Sequence, residues 1–191
     1  MPLDDPMGPA ITTANGKGSA APNRLAVIDG DIHPAVRSMA DFKPYLSKRW
    51  WDHYETYGMR RKHGSSNGEP YPKSAPLACR RDAWPEEGGR PGSSLRLMQE
   101  QHLDAYGVEY GILGPLGNTG QGEMNLELSA AMCSATNDWQ RDTFTRPEKR
   151  LKGGLVVPYE DGVASAKEIE RCGADTDFGQ VFLLTRSSEP L

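Results

Sequence analysis

Apolar residues recur along this chain in two rhythms. Four short runs, at residues 25–31, 108–113, 151–158 and 180–184, have the continuous apolar pattern of buried strands, and loop residues follow each of them. Between the later runs the spacing changes to three and four. Residues 94–106 place Leu95, Met98, His102, Leu103 and Tyr106 on one stripe that stops at Gly107. Residues 123–144 carry a broad apolar face through Leu126, Leu128, Ala130, Met132, Cys133 and Trp139. A third helical stretch begins at Asp161, a natural N-cap, and runs through Val163, Ala166 and Ile169 to Cys172 before Gly173. Strands alternating with amphipathic helices predict an α/β fold. Its parallel strands are joined by right-handed crossovers and covered by the helices.

The first run ends in Asp29-Gly30-Asp31-Ile32-His33-Pro34. If the backbone stays extended there, Asp31 and His33, two positions apart, face the same side. One carboxylate and one imidazole are half of a typical divalent-metal sphere, with oxygen suited to manganese or magnesium and nitrogen suited to zinc. The plainer account is that Asp31 caps a turn and His33 is an ordinary polar residue. Functional residues of parallel α/β folds gather at the carboxyl ends of the strands, where this pair falls, and that favours a metal.

One segment breaks the alternation. Residues 58–93 show no periodicity, many Gly and Pro, and a basic bias from Arg60, Arg61, Lys62, Lys73, Arg80, Arg81 and Arg90. A loop of this length is expected to act as a lid or binding loop, with Arg80 and Arg81 as candidate contacts to a substrate carboxylate. Solvated surface charge is the competing account of each arginine. Before the loop, residues 39–57 look partly helical and carry Phe42, Tyr45, Leu46, Trp50, Trp51 and Tyr54, a cluster suited to core packing or a subunit interface.

Composition narrows the function. The 191 residues include 21 Gly and 15 Pro, so much of the chain is expected to lie in loops. A formal charge of -4 with no long basic block argues against nucleic acid, and no apolar segment is long enough to predict a membrane span. Residues 1–23 are small and polar without the apolar centre of a secretory signal, and read as a disordered leader to a cytoplasmic protein. The domain itself is expected over residues 24–191. Cys79, Cys133 and Cys172 are widely spaced and odd in number, as for free thiols in a reducing compartment. Cys133 and Cys172 fall on helical apolar stripes and are expected to be buried. Cys79, between Ala78 and the Arg80-Arg81 pair, lacks a matching His and acid for nucleophilic work.

The Gly-Asp-x-His opening also resembles that of the calcineurin-like metallophosphoesterases. Their further motifs are missing, since Gly117-Asn118 is followed by Thr119 and His33 by Pro34. More of the chain resembles the amidohydrolase-related branch of the amidohydrolase superfamily, which includes aminocarboxymuconate semialdehyde decarboxylase and aromatic acid decarboxylases. The resembling pieces are Val27-Ile28-Asp29-Gly30-Asp31-Ile32-His33-Pro34, Tyr45-Leu46 with Arg49-Trp50, and His102-Leu103-Asp104-Ala105-Tyr106-Gly107-Val108. Asn137-Asp138-Trp139, the stretch 153–158 and Val181-Phe182-Leu183-Leu184 follow in the same order.

That resemblance implies the N-terminal half of a TIM-type (β/α)8 barrel with one divalent ion, zinc or alternatively manganese, held by Asp31 and His33. The family pattern more often opens with His-x-His, so Asp31 stands where the first His would. The implied activity is that of a metal-dependent hydrolase or carboxy-lyase acting on a small carboxylate or its amide or ester. The ion would polarise the reacting oxygen and activate water. The family's remaining ligands and its acid/base Asp come from strands five to eight, beyond the fourth strand of this chain. The catalytic residue is therefore unknown here, and the chain alone is expected to be an inactive half-barrel or to self-associate as a homo-oligomer. None of His53, His63 or His102 is predicted at a strand end.

Overall fold

The computed structural model describes residues 26–59 and 79–183. The proposed leader at 1–23, the basic stretch with Arg60, Arg61, Lys62, His63 and Lys73, and the end of the fourth run at Leu184 lie outside them. The strands are β1 (Val27–Ile32), β2 (Val108–Leu113), β3 (Leu151–Val156) and β4 (Phe178–Phe182). They form one sheet in the order β1-β2-β3-β4, and every neighbouring pair is parallel. This is the predicted α/β arrangement, and it corresponds to part of a (β/α)8 barrel. β4 begins two residues before the apolar run does, because Gly153 of β3 is already paired with Phe178.

The helices start where side chains can satisfy their first free N–H groups. A 3-10 turn (Met39–Tyr45) follows Ser38, and α1 (Lys48–Tyr57) follows Ser47, each serine accepting a backbone hydrogen bond. The next helix is α2 (Leu95–Met98), capped by Ser94, a π-helical turn (Gln99–Leu103) and α3 (Asp104–Tyr106), ended by Gly107 at φ 62. The left-handed backbone there is one glycine adopts without a Cβ clash. α4 (Leu126–Gln140) starts three residues later than its apolar pattern suggests, because the Asn125 side chain accepts from the Leu128 N–H at 3.1 Å and so sets the cap. It passes into a second π-helical turn (Arg141–Thr145). α5 (Gly162–Cys172) is capped by Asp161, as predicted.

Consecutive parallel strands joined by crossovers of one hand place all the helices on one face of the sheet. The main core lies there: Ile32, Leu113 and Leu151 from the strands meet Leu103, Leu128, Met132 and Phe144 from the helical layer. The aromatic cluster of residues 39–57 joins this core. Phe42 meets Trp139 edge-on at 5.7 Å, and Trp139 meets Phe144 at 5.4 Å. The opposite face differs from the expectation of strands covered on both sides. Ile28 is 68% exposed and Tyr110 44% exposed. Among the described residues no helix is long and apolar enough to cross a membrane.

β3 outruns its neighbour. β2 pairs with it only from Leu151 to Gly153, while β4 pairs as far as Val156. The unpaired edge of Val156 is met by α4: the Asn137 amide donates to the Val156 carbonyl at 2.8 Å and accepts from the Val156 N–H at 2.8 Å. Gln140 donates to the Gly154 carbonyl at 3.2 Å. Replacing Asn137 with Leu would leave both Val156 groups buried and unpaired. We expect a loss of about 3 kcal/mol in chemical denaturation, against less than about 1 kcal/mol for Glu127→Ala, which breaks an exposed pair with Arg49.

A second tie joins the turn before β3 to the helix ahead of β2. Arg150 donates to both oxygens of Glu148, at 3.0 and 2.8 Å, and to Asp104 at 2.7 Å, while Gln99 donates to Glu148 at 2.9 Å. The Arg150 hydrogen bonds, with help from Gln99, hold the Glu148 carboxyl down at about 2, below the ordinary 4.5. A carboxyl depressed in the folded state stabilises the fold above its unfolded pKa, and that contribution fades as pH falls from about 4.5 to about 2. Unfolding measured across this window should show a smaller pH slope for Glu148→Gln than for the parent chain.

Candidate functional site

The carboxyl end of β1 brings Asp31 and His33 together, with Asp31 Oδ1 3.6 Å from His33 Nε2. Their orientation is set from three directions. On one side, His33 Nδ1 lies 2.9 Å from the carbonyl oxygen of Gly114, just past the end of β2. A carbonyl only accepts, so Nδ1 carries a proton there, and Nε2 is the ring nitrogen left on the side of Asp31. Behind Asp31, the Asp29 carboxylate accepts from the Asp31 N–H at 3.0 Å through one oxygen. Its other oxygen lies 2.7 Å from Nε2 of His102 in the π-helical turn. β1 departs from regular pairing with β2 between Asp29 and Ile32, where this carboxylate takes over the Asp31 N–H. The third constraint is backbone packing: Gly92, at φ +85, is so close that an added Cβ would stand 2.5 Å from the His33 carbonyl oxygen. Its own carbonyl accepts from Ala35 N–H at 3.0 Å.

The pair fits a divalent ion as two of its donors. Two ligand atoms about 2.1 Å from a tetrahedral zinc stand about 3.4 Å apart, close to the 3.6 Å seen here. The Nδ1–H to carbonyl contact is the usual outer partner of a metal-binding imidazole, since it fixes the tautomer and raises the basicity of the other nitrogen. Among the described residues no cluster of three or more His, Cys, Asp or Glu side chains is arranged to hold a metal.

The remaining predicted residues lie elsewhere. Arg80 is paired with Asp82, its Nε 2.9 Å from Oδ1, and Tyr106 at the foot of the helix is within electrostatic reach. Arg81 is exposed in a 3-10 turn (Arg81–Ala83). No hydrogen bond or ion pair among the described residues links either arginine to Asp31 or His33. The described end of the long loop runs beside the helix, where Gln101 donates to the Asp82 carbonyl at 2.7 Å, and then reaches β1 at Gly92. It leaves a cavity of about 170 Å³ beside His33, lined also by Ile32, Ala83, Ser94, Met98 and His102.

His53 lies between Trp50, which it meets edge-on, and Tyr57, which it meets at a tilt, on α1. Cys133 and Cys172 are buried free thiols, and burial followed by the Glu168 charge pushes Cys172 up to about 11, away from nucleophilic use. The Asp29–His102 pair escaped the sequence reading. Both residues stood inside quoted motifs, but only folding brings positions 73 residues apart within hydrogen-bond distance.

Comparison with known proteins gives the same frame. Solved structures of similar fold include 5-carboxyvanillate decarboxylase from Novosphingobium aromaticivorans, with bound manganese and 3-methoxy-4-hydroxy-5-nitrobenzoic acid. It has a TM-score of 0.51 and 18% identity over 82% of this chain and 41% of that chain. Another is 2,6-dihydroxybenzoate decarboxylase from Rhizobium, with a TM-score of 0.49 and 14% identity over 83% of this chain and 38% of that one. The chain thus spans well under half the length of the structures it resembles. A search of curated proteins finds no match. A family model described as amidohydrolase matches residues 28–188 of the 191. Four parallel strands with their crossover helices, together with that match, establish that this chain belongs to the amidohydrolase family.

Proposed function

We propose that Asp31 and His33 are donors to a divalent-metal centre that serves hydrolysis or non-oxidative decarboxylation of a small carboxylate substrate. The observation that carries this reading is the His33 ring, held by the Gly114 carbonyl at 2.9 Å with Nε2 presented beside the Asp31 carboxylate at the carboxyl end of a parallel sheet. When bound, zinc or manganese would supply the positive charge that polarises a carbonyl or carboxylate oxygen. The chain's own residues position the pair. Asp29 and His102 hold the β1 terminus, Gly114 holds the imidazole proton, and Gly92 walls the site on the loop side. Because a structure of similar fold is, by its name, a decarboxylase of 5-carboxyvanillate, aromatic carboxylates are the first substrates to assay. For Arg80 to meet such a carboxylate it would have to release Asp82, whereas Arg81 is already exposed.

A second reading rests on the same pair. Two donors without a third among the described residues favour a chain that binds metal weakly and does not turn over substrate by itself.

Metal binding separates the first reading from a purely structural pair. Zinc or manganese titrated into the full chain should bind at least roughly tenfold more weakly to His33→Ala and to Asp31→Ala than to the parent. Equal affinity in all three would discard the site. Turnover of aromatic acids and of ester analogues, compared with the Asp31→Ala/His33→Ala double variant, then decides between the two readings. Metal-dependent activity above that control supports the first, and none supports the second.

Gly92→Ala tests the wall of the site. The new methyl would meet the His33 carbonyl in a backbone conformation that L side chains rarely adopt, so a loss of about 1–3 kcal/mol in stability is expected. Weaker metal binding should accompany it as His33 shifts. Unchanged values for both would show that the loop does not press on β1.

A further inference from the structure

The described sheet is open on two sides and along one face. β1 and β4 are its edge strands, all four strands run the same way, and the helical layer covers only one face. Asp29 reaches into the helical layer to meet His102, so its neighbour Ile28 points to the uncovered face and is 68% exposed there. Tyr110 of β2, beside the inward-packed Gly111, is 44% exposed, and at the β4 edge Val181 is 43% exposed. Open strand edges beside apolar surface attract further strands.

We propose that the 191-residue chain pairs with a second copy of itself to close an eight-stranded parallel barrel, β1 of each copy lying beside β4 of the other. A parallel sheet has one polarity, so its two edges are complementary. β4 of one copy extends into β1 of the next in the same order and direction that β1 extends into β2. Repeated once about a two-fold axis, the junction closes the ring and leaves no strand edge. Ile28 and Tyr110 then fill the interior. Length agrees with this occupant: 82% of this chain matches 41% of a chain of similar fold, so two copies approach one such chain.

Both junctions being parallel, the carboxyl ends of all eight strands share one mouth. The second copy adds its own Asp31 and His33 there, which doubles the donors available. That last point rests on the proposed metal centre, whereas the closure does not.

The test is made with metal removed by chelator, so its result does not depend on the metal reading. Light scattering of the purified chain should give twice the 21.0 kDa of one copy. Ile28→Asp, exposed in the single copy but interior in the closed ring, should return the mass to one copy with unchanged far-ultraviolet circular dichroism. Val163→Asp, 68% exposed on α5, should leave the dimer intact. The strand order is read by cross-linking in a Cys79→Ser background, using Val27→Cys on one chain and Val181→Cys on another with a short bismaleimide. Linked dimers should form when the two variants are co-expressed and not from either alone. This arm keeps its force if Ile28→Asp fails to fold. A single-copy mass, open-ended aggregates, or links within single-variant samples would each overturn the proposal.

Discussion

The carboxyl end of this sheet depends on one side-chain amide. β3 continues past the last residue of β2 that can pair with it, and a backbone donor and acceptor left bare inside the protein would each be costly. Asn137 answers both groups of Val156 with one planar amide, as a neighbouring strand would, and its nitrogen also reaches Glu168 at 2.7 Å. Burial works to raise the Glu168 carboxyl, yet hydrogen bonds from Arg171, Ser134 and Asn137 outweigh it and hold the carboxyl below its ordinary value. A charged Glu168 therefore ties α5 to α4 at the place where α4 is tied to β3. With β3 fixed to its end, Val156 can pair with Phe182, and Gln121 can bridge the Val157 and Phe182 carbonyls from the loop after β2.

That loop is also the one that begins with Gly114, whose carbonyl orients His33. The candidate site is thus assembled across strands: β1 supplies Asp31 and His33, and the end of β2 orients the imidazole. The helix between them holds Asp29 through His102. A two-residue spacing alone would not hold the pair, since β1 loses regular pairing within this very stretch. The Asp29 carboxylate takes the place of the lost ladder bond at Asp31. Distortion of β1 and presentation of Asp31 have one cause.

The uncovered face follows from topology. Crossovers of one hand in sequential strand order put every helix on the same side, so nothing in the described residues covers Ile28 or Tyr110. In an open doubly wound sheet the order would reverse and helices would cover both faces. Sequential order instead leaves the second face of the four described strands without helices.

Local sequence determined the elements. Apolar runs fixed the strands because a strand buried in a parallel sheet tolerates few polar residues, and three-to-four spacing with Ser, Asn or Asp caps fixed the helices. The same reading placed Asp31 and His33 on one side of a strand end and put Trp139 on the apolar face of its helix. It also anticipated burial of Cys133 and Cys172, which lie at 0% exposure. What it missed depends on distance in space. The start of β4 is set by its register with Gly153, and the site's support by Asp29 meeting His102 and His33 meeting Gly114. Arg80 is a different case: its basic surroundings suggested a substrate contact, yet its guanidinium is engaged by Asp82, a partner only two residues away. Periodicity records which face a side chain takes relative to its own backbone. Which groups it meets there is decided only when strands far apart in sequence are laid side by side, because hydrogen bonds and ion pairs act over a few ångströms.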